Sequence, residues 1–98
     1  MKRTHRSPKS APDLPDVARG TGTPEAYPYW FLAQIILGTR VRERRKELKM
    51  TQVDLADACK LDRTYIGGIE RGERNPSLKN MAKIATALNT TVSDLMRE

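Results

Sequence analysis

The stretch TQVDLADACKLDRTYIGGIERG, Thr51 to Gly72, contains two short helical patterns, Gln52 to Cys59 and Arg63 to Arg71, joined by a brief turn. Thr51 is placed to cap the first, with Asp54 at its third position, near the positive end of the helix dipole. Asp62 is placed to cap the second, and Gly72 to end it. Leu55, Ala56 and the turn residue Leu61 are spaced to meet Ile66 and Ile69, with Ala56 small where the two helices cross. One feature runs against the pattern. Gly67 and Gly68 sit together in the middle of the second helix, where each costs roughly 1 kcal/mol relative to alanine.

Two short helices joined this way have the geometry of a helix-turn-helix, whose second helix enters the DNA major groove. Beyond Gly72 the punctuation continues. "ERNP" reads as a turn, and Ser77 is placed to cap "LKNMAKIATAL", where Leu78, Met81, Ala82, Ala85 and Leu88 repeat at helical spacing. Thr91 is placed to cap a last short helix carrying Leu95 and Met96. No strand pattern is present, so the spacing predicts an all-α domain of about five helices from residue 37 onward.

Upstream, the composition changes near residue 28. Residues 1–28 hold Pro8, Pro12, Pro15, Pro24 and Pro28, five of the six prolines, with few large apolar residues. Such a segment buries too little surface to offset its ordering entropy, and reads as a flexible, basic, Pro-rich tail. Next comes an apolar aromatic segment, 29–36, and then the domain proper, 37–98. In "YPYWFLAQIILGTRVRERRKELK" a helix begins either at Pro28 or only after Gly38. The aromatics Tyr27, Tyr29, Trp30 and Phe31 either pack back on the domain or contact a second subunit or another protein.

Charge and cysteine set the bounds. Lys and Arg number 18 against 12 Asp and Glu, a net charge of +6. The balance favours a polyanionic partner, nucleic acid or an acidic membrane surface. No apolar run approaches the roughly 20 residues of a membrane helix. A single cysteine, Cys59, excludes an internal disulfide and reads as a small buried hydrophobe. With one cysteine and one histidine, His5, no metal cluster or cofactor site is expected, and no nucleophile–base set points to an enzyme. The chain reads as cytoplasmic.

The marks Thr51-Gln52, Leu55-Ala56, Ile66, Ile69-Glu70-Arg71-Gly72, Asn75-Pro76, Ile84-Ala85, Leu88 and Leu95 together resemble the helix-turn-helix domain of the phage-repressor and Cro type (XRE-like). The resemblance implies a five-helix lambda-repressor-like fold with a flexible N-terminal extension. "LDRTYIGGIERG" is further similar to the recognition helix of restriction-modification controller proteins. One departure is Lys60, where that family usually has glycine in a left-handed conformation.

Helical spacing places Arg63, Thr64, Gly67 and Gly68 on the groove-facing side. Arg63 is suited to guanine O6 and N7, Thr64 to a base edge or a thymine methyl. Bare Gly68 would let the backbone approach the bases. Tyr65, Arg71, Arg74, Asn75, Lys79 and Arg40 are candidates for the DNA backbone, the region of Asn75 through the helix N-terminus that follows. The resemblance implies that Gln52 contacts phosphate and braces the recognition helix, and that Arg45 and Glu70 form a structural ion pair. Val92, Leu95 and Met96 are candidates for a homodimer surface. The expected partner is double-stranded DNA carrying a palindromic operator. The rival reading is an antitoxin-like module whose Tyr27–Ile36 segment binds a protein partner.

Overall fold

The computed structural model describes residues 28–98. The tail reading for 1–28 therefore lies outside the described residues, apart from Pro28. Five helices follow in order: α1 (Tyr29–Glu47), α2 (Gln52–Cys59), α3 (Arg63–Glu70), α4 (Leu78–Ala87) and α5 (Val92–Leu95). No strand occurs among the described residues.

The starts of the four shorter helices follow local chemistry. Thr51 and Asp54 form a reciprocal capping box: the Thr51 hydroxyl accepts from the Asp54 amide at 3.0 Å, and the Asp54 carboxylate accepts from the Thr51 amide at 2.9 Å. Asp62, Ser77 and Thr91 cap α3, α4 and α5 through their side-chain oxygens. The ends follow too. Lys60 closes α2 in the left-handed region at φ 57°, so the turn keeps the family's backbone despite lacking its glycine. Gly72, at φ +77°, turns the chain after α3.

α1 starts without a side-chain cap. It begins at Tyr29, directly after the extended Pro28, and runs unbroken through Gly38, so the boundary drawn at residues 36/37 falls inside one helix. Ile35 and Ile36 are buried, and Gln34 Nε2 donates to the Gly72 carbonyl at 3.0 Å. The upstream half of α1 thus clamps the end of α3. Gly38 is the crossing point. A Cβ there would lie 2.2 Å from the Ile69 carbonyl oxygen and 2.8 Å from that of Glu70, so only a bare backbone lets the two helices approach this closely.

One core joins all five helices. Val41, Leu55, Ile66, Ile69, Ile84 and Leu88 are almost wholly enclosed, with Leu37, Ala56, Cys59, Ala85 and Leu95 around them. Leu95, read from sequence as a dimer-surface candidate, is 2% exposed: it anchors α5 into the core and is not offered to a partner. Val92 and Met96 are half-buried against the same core. Burial raises the Cys59 thiol pKa, and its Sγ donates to the Leu55 carbonyl, as suits a buried hydrophobe.

Candidate nucleic-acid interface

α2 and α3 pack through Leu55 and Ala56 against Ile66 and Ile69, as their spacing predicts, and all four are buried. That packing turns Arg63 and Thr64 to solvent at the start of α3. Around them the fold gathers residues far apart in sequence. Gln52, first in α2, accepts at Oε1 from Arg63 Nη1 at 3.4 Å and donates from Nε2 to Glu70 Oε1 at 3.1 Å. Beneath it lies the ion pair. Arg45 Nε and Nη2 meet Glu70 Oε2 and Oε1 at 2.6 and 2.9 Å, and Arg45 Nη1 donates to the Met50 carbonyl at 2.9 Å. Both side chains are enclosed, Arg45 at 10% and Glu70 at 3% exposure. Pairing with Glu70 raises the Arg45 pKa, outweighing the opposing effect of burial.

The two glycines are not open backbone. Both are buried. A Cβ on Gly67 would stand 3.2 Å from Arg71 Nη1 and 3.5 Å from Gln52 Oε1, and one on Gly68 would stand 2.6 Å from Arg74 Cγ. Their missing side chains face away from the core, as the spacing implies, but Gln52, Arg71 and Arg74 lie across the gap. The expectation that bare Gly68 meets the bases is corrected accordingly: the stem of Arg74 occupies that space, and its guanidinium reaches over the Tyr65 ring, 5.9 Å from the centroid. The Tyr65 hydroxyl accepts from Asn80 Nδ2 at 3.2 Å, so this tyrosine is held by the domain. Asn75 and Lys79 are exposed on either side of the Ser77 cap.

Arg40 stands elsewhere. Its Nε donates to the Arg97 carbonyl and its Nη1 to Glu43, both at 3.0 Å. Arg44 likewise donates to the Leu88 and Asn89 carbonyls. These arginines of α1 satisfy carbonyls at and beyond the C-terminal ends of α4 and α5, where cations suit the helix dipole. Arg40 is thus held against the C-terminal segment, a contact that charge counting alone does not supply. Asn80 was missed from the sequence. Nothing in its local pattern reveals that it meets Tyr65 across fifteen residues.

Among the described residues no three potential metal ligands are grouped, and no helix is long and apolar enough to cross a membrane. The arrangement is a two-helix unit: an exposed Arg-Thr pair at the start of α3, with Arg63 bonded to Gln52 of α2 and arginines further along. It defines a helix-turn-helix domain of the phage-repressor and Cro type.

The chain belongs to the helix-turn-helix family HTH_3, which matches residues 41–95. Control protein C.BamHI of Bacillus amyloliquefaciens is 45% identical over 64 residues, covering 64% of this chain and 79% of that protein. The immunity repressor protein of Bacillus phage phi105 is 44% identical over 62 residues, 63% of this chain. There the chain spans only 43% of the relative's length. The crystal structure of the restriction-modification controller protein C.AhdI from Aeromonas hydrophila is similar at a TM-score of 0.62 and 45% identity, covering 63% of this chain and 94% of that one.

Proposed function

We propose that this protein is a sequence-specific DNA-binding transcriptional regulator, acting in the cytoplasm as a homodimer on a palindromic operator. The observation that carries the reading is the exposed Arg63-Thr64 pair at the start of α3, with Arg63 in contact with Gln52 and with Arg71 and Arg74 lying over Gly67 and Gly68 further along the helix. Arg63 pairs bidentately with guanine, and Thr64 meets the neighbouring base edge. Arg71, Arg74 and Lys79 neutralise phosphates, and the backbone near Asn75 assists. One such unit makes few base contacts, so pairing two of them on related half-sites supplies affinity and specificity. With Leu95 inside the core, the dimer contact falls to the half-buried Val92 and Met96.

Arg63→Ala should cost about 1–3 kcal/mol and relax preference at one base pair, whereas Lys79→Ala should weaken all sequences alike and lower the salt slope. Titration of matched and single-base-altered duplexes checks both. A uniform loss from Arg63→Ala would demote it to a phosphate contact.

A second reading has its own observation. Tyr29 and Trp30 are 62% and 60% exposed on α1, upstream of the family-matched residues 41–95. An antitoxin-like module would use this end to hold a protein partner, its DNA binding serving autoregulation. Under that reading, Trp30→Ala abolishes a co-purifying partner and leaves DNA affinity intact.

A further inference from the structure

The hydrogen bonds around Gln52 have a fixed direction. Glu70, a carboxylate, only accepts; Arg45 and Arg63, guanidinium ions, only donate. Gln52 lies between a carboxylate and an arginine, with one end that donates and one that accepts. Its amide therefore turns the NH2 group inward to Glu70 Oε1 at 3.1 Å and the oxygen outward to Arg63 Nη1 at 3.4 Å. The opposite orientation would set oxygen against carboxylate oxygen and NH2 against guanidinium. Both contacts would become repulsive.

Glu70 is itself held by its partners. Two bonds from Arg45, which also donates to the Met50 carbonyl, fix its carboxylate at 3% exposure. Gly67 makes room for the bridge, since a Cβ there would lie 3.5 and 3.8 Å from the Gln52 Oε1 and Nε2. An alanine would only touch the amide, whereas a longer side chain would displace it.

We infer that Glu70 is a positioning residue for base reading: through the Gln52 amide, the buried ion pair sets where the Arg63 guanidinium stands before DNA arrives. This rests on the proposed role of Arg63 and extends it inward, to a residue that touches no DNA. The outward bond is long, so the relay biases Arg63 and does not clamp it. A bias formed in the free protein reduces the side-chain ordering that binding otherwise requires.

Two readouts on the full chain separate this inference from the reading beneath it. The first needs no DNA: 15N relaxation of the Arg63 side-chain Nε–H. Gln52→Met keeps the Arg45–Glu70 pair and removes the relay, so Arg63 should become more mobile. Arg45→Met with Glu70→Leu, which removes the acceptor and leaves no lone charge, should have the same effect at a temperature where its circular dichroism matches wild type. Unchanged Arg63 mobility in Gln52→Met overturns the inference, whatever the protein binds.

The second readout is discrimination between the selected duplex and its variant at the base pair that Arg63 reads. Gln52→Met should lower that ratio by roughly 3- to 10-fold, leave the ratios at other positions unchanged, and add nothing to Arg63→Ala. The folded Arg45→Met, Glu70→Leu double variant should show the same selective loss. If Gln52→Met weakens every duplex equally, Gln52 is a phosphate contact and the relay is refuted. If the double variant keeps discrimination, Glu70 is structural alone. Failure of the DNA reading has a different signature: Arg63→Ala itself leaves every ratio unchanged.

Discussion

Replacing Arg45 with methionine removes the charge and keeps much of the side chain's length. Glu70 then loses two of its three hydrogen-bond donors, at 2.6 and 2.9 Å, and keeps only Gln52 at 3.1 Å, while still 3% exposed. A carboxylate stranded in this way costs about 3–5 kcal/mol. Domains of this size have total stabilities of about 0.05–0.15 kcal/mol per residue, so the variant should stand near its folding threshold. At roughly 4–8 °C per kcal/mol for a domain of 60–100 residues, the thermal midpoint should fall by at least about 12 °C. Met50 also loses its partner at 2.9 Å, but its carbonyl lies beside the surface turn and is rehydrated more cheaply. Removing both charges, as in Arg45→Met with Glu70→Leu, should recover most of the loss, because no lone charge is then left buried. Urea unfolding followed by circular dichroism measures Arg45→Met, Glu70→Leu and the double variant. A loss below about 1 kcal/mol for Arg45→Met, or a double variant as unstable as the sum of the singles, would refute the argument.

Three further outcomes follow from the same structure. Gly38→Ala places a Cβ 2.2 Å from the Ile69 carbonyl oxygen; overpacking should outweigh the helix-propensity gain and lower stability by more than about 2 kcal/mol, and a urea midpoint at or above wild type would count against the close crossing. Gly68→Ala gains roughly 1 kcal/mol of propensity but evicts the Arg74 stem, so stability should hardly move while DNA affinity falls; its effect on affinity should vanish in an Arg74→Ala background, and full additivity would show that it acts some other way. The capping-box bonds from Thr51 hold the Asp54 carboxyl below its ordinary range. A depressed folded-state pKa gives stability that is complete above the unfolded value and is lost as pH falls through the folded one. The urea-midpoint gap between wild type and Asp54→Ala should therefore be widest near neutrality and close as pH falls below about 4; a gap independent of pH would dismiss the charged cap.

Legibility in the sequence divides by distance along the chain. The caps at Thr51, Asp62, Ser77 and Thr91 are written in neighbouring residues, and all four read correctly. The left-handed turn at Lys60 was also readable, because the family's glycine marks the conformation that the lysine takes up. Contacts set by packing were harder. Gly38 read as a possible helix start, since nothing near it reveals that α3 crosses there. Leu95 read as a surface residue because the helix that carries it is too short to show which side faces inward. Arg40 and Lys79 are alike as charges, yet only Arg40 finds a carbonyl of the C-terminal segment. The glycine pair was placed on the correct side of α3, but its cover comes from Gln52, Arg71 and Arg74, which no periodicity within α3 can show.

Selection of bound duplexes from a random pool by the full chain shows whether α3 reads sequence and whether Arg63 does the reading. One enriched motif is expected, with two-fold related half-sites about one helical turn apart, a guanine in each half, and loss of the preference for that guanine in Arg63→Ala. Retention of DNA without any enriched sequence, or a motif unchanged by Arg63→Ala, would contradict the proposed reading.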